Sequence, residues 1–264
     1  MGKFTDIIVV KIGGSTLGQH DTTLEDIVTL QKRGVSLVVV HGGGKIITDW
    51  LNKLGADSRF VMGERVTDLM GLQVVTAVLA GLVNKELVAS INRLGGKAAG
   101  ISGVDGALFQ AKIKSPDLGY TGEITGVNTE TVKILLAGGF VPVISPVSLN
   151  YLEKSTTAPL LLNVNADLAA GEIAAALGAS KLIFLTDVAG ISDKSGSVRE
   201  SLNPEEAEAL ISSGAASGGM IPKIRAGIRA LQGKGIVRII DGRLSHALLN
   251  ELSQSESGTT IRMK

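Results

Sequence analysis

Two lysines stand beside junctions of glycine with an apolar element, where a nearby anion would give each a use. Lys11 follows the run Ile7-Ile8-Val9-Val10 and precedes Ile12-Gly13-Gly14. A cation at the end of a buried strand is costly unless it runs along the strand to a ligand or carboxylate, or snorkels to water. Lys223 lies in Gly219-Met220-Ile221-Pro222-Lys223, after the glycine-rich stretch 214–219, and opens a predicted helix. The helix dipole disfavours a cation at that end, so either an anion holds it or it is an ordinary exposed lysine. Asn163-Val164-Asn165-Ala166-Asp167 sets three short polar side chains where an apolar strand gives way to a helix. One of them suffices as a cap. Asp167, if it meets the lysines, would organise charge rather than act as a base. Arg65, in a predicted loop ahead of a long helix, carries a fork that can hold a carboxylate through two hydrogen bonds.

Two glycine clusters follow successive predicted strands: Gly13-Gly14, and Gly42-Gly43-Gly44 after Ser36–Val40. Glycine lets consecutive amides converge on an oxyanion, and the helix that follows adds a favourable dipole; a tight strand-to-helix turn is the plainer use. Leu185-Thr186-Asp187-Val188-Ala189-Gly190 is a further strand-end loop, suited to ribose or adenine contacts or to capping. Familiar alternatives are missing. There is no G-x-x-x-x-G-K-[ST], no G-x-G-x-x-G and no G-x-S-x-G, and His20, His41 and His246 have no metal-ligand spacing.

The elements that must position these residues alternate between strand and helix along the chain. Strands are expected at Ile7–Ile12, Ser36–Val40, Val141–Ile144, Leu182–Leu185 and Ile236–Ile240. Helices are expected at 22–33 (capped by Asp21 or Thr22), 45–54, 67–93 with a break near Gly81, 166–177, 204–212 and 221–232. Such alternation implies an α/β protein, a three-layer αβα sandwich around an open, mostly parallel sheet. A lobe boundary near Gly178 gives 1–178 and 179–264 on one continuous sheet. The 264 residues carry net charge +1, 3% aromatics and no cysteine. Near-neutral charge and few aromatics argue against nucleic-acid and anionic-membrane partners. Without cysteine there is no disulfide, thiolate metal site or cysteine nucleophile. No stretch reads as long and apolar enough to span a bilayer, so a cytoplasmic protein is expected.

In order along the chain, Lys11–Gly14, Val40–Gly44, Arg65–Asp68, Asn84–Val88, Gly119–Glu123, Asn163–Asp167, Leu185–Gly190 and Gly219–Lys223 resemble the amino acid kinase family, and within it the branch acting on N-acetyl-L-glutamate. The ordered set covers nearly the whole chain. The resemblance implies ATP as phosphoryl donor, with Mg²⁺ carried on the nucleotide and no protein metal site. Acetylglutamate would bind in the N-terminal lobe and ATP in the C-terminal lobe. It implies that Lys11 and Lys223 stabilise the transferring phosphoryl group while Asp167 orients both. Gly14, Gly43 and Gly44 would supply amides, Arg65 and Asn163 would grip the α-carboxylate, and Asp187, Gly190 and Ser217 would lie near the nucleotide. Glu64 departs from the family pattern, which has an apolar residue there, and Phe60-Val61-Met62 lacks a lysine found in some relatives. The first strand begins almost at once, without the extra helix of hexameric, arginine-inhibited relatives. A homodimer paired through 67–93 and insensitive to arginine is therefore expected. Kinases of other amino acids, of carbamate, of nucleoside monophosphates or of a carrier-bound aminoadipate share the fold, as would a non-catalytic amino-acid sensor.

Overall fold

The computed structural model describes residues 6–13, 22–152, 155, 157–253 and 257–263. Ile7–Ile12, Ser36–His41 and Lys181–Thr186 are short β-branched and apolar runs, almost wholly buried. They pair in parallel, with Lys11 opposite Val40 on one side and Phe184 on the other. These strands form the middle of an eleven-stranded sheet. Its main path runs Ser201–Leu202, Thr259–Ile261, Ile236–Asp241, Lys181–Thr186, Ile7–Ile12, Ser36–His41, Val141–Asn150, Phe109–Ile113, Gly122–Val127. Antiparallel pairs occur towards its edges, as between Phe109–Ile113 and Gly122–Val127.

Successive strand residues point to opposite faces, so each parallel strand feeds two cores. Val9, Val38 and Val40 belong to the core that includes Ala169, Ile173 and Ile224. Val10, Ile12 and Val39 belong to the other, with Ile27, Leu51, Val75 and Leu248. Helices therefore cover both faces, as the expected αβα sandwich requires. Lys11 shares the face of Val9, under helix Ala166–Leu177.

That helix is rich in alanine and carries Gly171, which lets Met220–Ala230 cross it closely. A Cβ at Gly171 would lie 2.5 Å from the Ala226 carbonyl oxygen. Asp167 and Lys223 sit about one turn before this crossing, on their respective helices. Asn165 caps the helix, accepting from the amides of Asp167 and Leu168, and Gly178 ends it at φ 62°. Asn203 and Glu206 form a capping box on Pro204–Ser212.

Several expectations change. Leu69–Arg93 does not break at Gly81; residues Ala77–Val83 form a π-helical segment within one continuous helix. At 25 residues it is long and apolar enough, by length and composition, to cross a membrane, contrary to the sequence reading. Here Val75, Val78, Leu79, Val83 and Ile91 are spent on the core. Arg65 is in a strand rather than a loop: Phe60–Val61 pairs with Glu64–Arg65. Met62 and Gly63 link them with φ 49° and 82°, the two-residue turn in which both residues take positive φ. The strand expected to end at Ile144 continues to Asn150, its Pro146 falling where the pairing with Ala98–Gly103 shifts register. Thr22 makes no side-chain cap; its hydroxyl accepts from the His246 amide at 2.6 Å. Asp21 and His20 lie outside the described residues.

Candidate active site

Lys11 stands one residue before the end of its strand, 7% exposed, on the face where the first turn of Ala166–Leu177 arrives. Its Nζ lies 2.8 Å from Asp167 Oδ1, a buried ion pair. Lys223 reaches the same carboxylate from the other helix, donating to Oδ2 at 3.0 Å and to the Gly219 carbonyl at 3.2 Å. Asp167 is therefore the anion that holds a cation at an unfavourable helix end. Burial alone would raise the Asp167 pKa; the two ammonium charges and their contacts overcome this and hold it below the ordinary carboxylate range. Two cations from separate elements thus share one ionised carboxylate.

A cleft of 200 Å³ is lined by Lys11 and Asp167 together with Gly42–Gly44, Arg65, Thr121 and Asn163, and Lys223 reaches Asp167 from outside that lining. Arg65 is buried and spends three of its five N–H donors on the protein, on Ser58 Oγ, Thr48 Oγ1 and the Gly44 carbonyl. Its guanidinium also lies 4.6 Å from the Phe60 ring centroid. Burial lowers its pKa, though a guanidinium stays charged at neutral pH. The arginine thereby braces the glycine loop and keeps two donors for a ligand. Behind it, Thr67 and Thr121 bond to the Arg65 carbonyl, and the Asn163 amide donates to Thr67 Oγ1 at 2.9 Å.

The glycine loop is fixed from behind by a network that sequence reading did not assign. His41 is fully buried; its Nδ1 donates to the Gly42 carbonyl and its Nε2 accepts from Asn84 Nδ2 at 3.2 Å. Asn84 also donates to the Val143 carbonyl, and Lys85 donates to Asn84 Oδ1 and the Gly100 carbonyl. Burial, opposed by the bond to Gly42 and aided by the charges of Lys11 and Lys85, pushes the His41 pKa down to about 4. The ring is neutral at physiological pH, which fixes the tautomer these bonds require. Asn84 opens the α-helical turn that follows the π segment, whose Leu79 and Val83 pack against Gly43. In the sequence, Asn84 and Thr121 are marked by the family-like stretches Asn84–Val88 and Gly119–Glu123 alone.

Other expected residues lie apart. Asp187 and Ser217 are exposed, and neither they nor Gly190 line this cleft. Gly190 is buried, leaving room for Thr259, whose hydroxyl accepts from the Ile191 amide. Gly14 lies outside the described residues. Among the described residues no three His, Asp or Glu side chains gather as a metal site.

The model of the amino acid kinase family matches residues 6–241, a span that contains every element of this site. The chain belongs to that family. Acetylglutamate kinase of Dehalococcoides mccartyi (strain ATCC BAA-2266 / KCTC 15142 / 195) is 48% identical over 97% of this chain and 94% of its own length. The acetylglutamate kinase of Cereibacter sphaeroides (strain ATCC 17029 / ATH 2.4.9) is 44% identical over 97% and 87%. Among solved structures, carbamate kinase from Giardia lamblia bound to AMP-PNP superposes with a TM-score of 0.73 over 100% of both chains. At 14% identity that likeness shows the amino acid kinase fold alone. Family members are phosphotransferases, and Lys11 near the end of its strand meets Asp167 and Lys223 from the first turns of two helices, at the side of the sheet where ligands gather.

Proposed function

We propose that this chain transfers the γ-phosphoryl group of ATP to the side-chain carboxylate of N-acetyl-L-glutamate, giving N-acetyl-L-glutamyl 5-phosphate and ADP, a step of arginine biosynthesis. The observation that carries the reading is the pair of ammonium groups, Lys11 and Lys223, held on the single carboxylate of Asp167 beside the Arg65 cleft. The names of relatives at 44% and 48% identity select acetylglutamate within the family.

An acceptor carboxylate is already ionised, so the site needs no base. What it must overcome is repulsion between two anions brought into line. Lys11 and Lys223 do this, while Asp167 keeps both aimed and parts from neither until phosphate oxygens compete for them. Arg65 and Asn163 hold the α-carboxylate, and the amides of Gly14, Gly43 and Gly44 receive phosphate and substrate oxygens. Asp187, Gly190 and Ser217 border the nucleotide. Mg²⁺ travels on the ATP phosphates and neutralises their charge; near the cleft the chain offers ammonium groups rather than a carboxylate cage. Residues 1–178 form the acetylglutamate lobe and 179–264 the ATP lobe. The protein is cytoplasmic, insensitive to arginine and a homodimer paired through Leu69–Arg93, whose Leu69, Met70 and Leu82 are exposed.

ADP release with Mg-ATP and a panel of acetylglutamate, glutamate, aspartate and carbamate tests the reading. Turnover on acetylglutamate is expected, falling by roughly two to four powers of ten in K11M or K223M. Turnover on free glutamate but not its acetylated form, or acetylglutamate binding without any turnover, overturns it. Light scattering that gives a hexamer, or inhibition by millimolar arginine, overturns the assembly assignment.

A further inference from the structure

The backbone groups of the Gly42–Gly44 loop are committed selectively. The Gly42 N–H donates to the Ile12 carbonyl at 3.0 Å, and the Gly44 carbonyl accepts from Arg65 and from Thr48 Oγ1. The Gly42 carbonyl accepts from His41 Nδ1 at 3.0 Å. The Gly43 N–H has no acceptor among the described residues, and Gly43 lines the cleft together with Lys11. In a trans peptide the carbonyl and the N–H that follows it point opposite ways. The ring that holds the Gly42 carbonyl from behind therefore turns the Gly43 N–H away from itself.

That hold needs a proton on Nδ1, and the chemistry of the partners decides where the proton lies. Asn84 Nδ2 faces the carbonyls of Val143 at 2.9 Å and Ile101 at 3.3 Å, which only accept. Its Oδ1 faces Lys85 Nζ at 2.9 Å, which only donates. The Asn84 amide is thus fixed end for end. His41 Nε2, 3.2 Å from Asn84 Nδ2, meets a nitrogen that cannot accept, so Nε2 is bare and Nδ1 carries the proton. Gly100 makes room for this: a Cβ there would overlap Asn84 Oδ1. The charges acting on the ring are those of Lys11 and Lys85, both positive, and with burial they keep it singly protonated.

We infer that Lys85, Asn84 and His41 form a positioning relay that keeps the proton on His41 Nδ1, turns the Gly42–Gly43 peptide and so presents the Gly43 N–H to an anionic oxygen in the cleft. None of the three touches that oxygen; they act through an amide aimed where charge develops. The kinetic consequence rests on the function proposed above, whereas the proton's position does not.

Two substitutions separate aiming from packing. In H41N the side-chain amide nitrogen takes the place of Nδ1 and still donates to the Gly42 carbonyl. In H41Q the amide takes the place of Nε2, reaching Asn84 and missing Gly42. Both remove the ring and leave an uncharged amide, and glutamine fills more of the space. The relay predicts a kcat on acetylglutamate within roughly threefold of wild type for H41N and lower by roughly tenfold to a hundredfold for H41Q. Equal losses in the two, a larger loss in H41N, or no loss in H41Q overturns it, because packing alone favours the larger side chain. Nitrogen-15 NMR reads the proton without turnover. A chain carrying H20Q and H246Q keeps His41 as its one histidine, and from about pH 5.5 to 8 its Nδ1 should be protonated and its Nε2 bare throughout. A proton on Nε2, or titration across that range, overturns the relay even where neither His41 variant folds. A wild type without turnover would sink the proposed function and leave the NMR result to judge the relay; turnover with equal losses in H41N and H41Q would do the reverse.

Discussion

Replacing Asp167 with Asn keeps the shape of the side chain and the Asn165 cap but removes the charge that two lysines share. Asp167 is 5% exposed, and the side chains of Lys11 and Lys223 are 8% and 17% exposed. Neither ammonium can turn fully to water, so the variant leaves two buried cations without their anion. Breaking a buried ionic arrangement from one side costs about 3–5 kcal/mol. Against a total stability of about 5–15 kcal/mol this is a large fraction. For a chain of this size, at about 2–4 °C per kcal/mol, the ligand-free Tm should fall by roughly 6–20 °C. Mg-ATP should restore much of that loss, because phosphate oxygens supply the missing negative charge, so the gap between variant and wild type narrows as nucleotide is added. Turnover should fall by about two to three powers of ten, since the cations are no longer aimed. Differential scanning with and without Mg-ATP, together with ADP release, reads both. A collapsed turnover with an unchanged ligand-free Tm would refute the charge-holding role, and turnover within roughly threefold of wild type would remove Asp167 from the site.

R65K keeps the charge but lacks the fork that spans Ser58, Thr48 and the Gly44 carbonyl. The KM for acetylglutamate should rise by roughly ten- to a hundredfold, more than kcat falls, and steady-state kinetics checks this. His41 falls from 6.5 to about 4 on folding, so between those values the unfolded chain binds more protons and stability rises with pH. That gap corresponds to roughly 3 kcal/mol, and H41Q should flatten the Tm profile across pH 4–6.5 relative to wild type. His246 has the opposite sign: its bond to Asp26 at 2.7 Å raises its pKa, so its contribution is full below the ordinary histidine range and is lost as pH rises through the folded value. H246A should therefore lower Tm at mildly acidic pH and leave it nearly unchanged in alkali.

The architecture was legible because its elements carry strong local signals. Parallel strands buried on both faces read as unbroken apolar runs, and Asn165, Gly178, Asn203 and Pro204 mark helix ends by their own chemistry. That Lys11, Asp167 and Lys223 call for one another was legible because each breaks a local rule. Lys11 is a cation in a buried strand, Lys223 a cation at a helix start, and Asp167 an acid beyond what capping needs. What stayed hidden depends on partners remote in sequence. His41 and Asn84 are ordinary residues until the fold brings them together across 43 positions. The two-stranded hairpin was hidden because Met62 has none of the usual preference for positive φ, so its turn reads as loop. Pro146 ended the predicted strand early, because nothing local announces a register shift in the neighbouring strand. The membrane-length apolar helix was missed because its reading as two pieces, split at Gly81, halved its apparent length.

The hairpin Phe60–Arg65 joins most of the site. Arg65 on one side braces the glycine loop; Glu64 on the other side meets Lys114; and the turn between strands presses on the start of the helix that carries Lys223. At Gly63, φ is 82° and a Cβ would stand 2.9 Å from the Gly218 carbonyl oxygen, so only glycine permits both the turn and the approach. Two adjacent side chains thus face two ways, and one backbone contact links them to the start of the helix that carries Lys223. A two-stranded hairpin has little stability of its own. Its position is therefore set by what it touches, the glycine loop through Arg65 and the approach to Gly218 through Gly63.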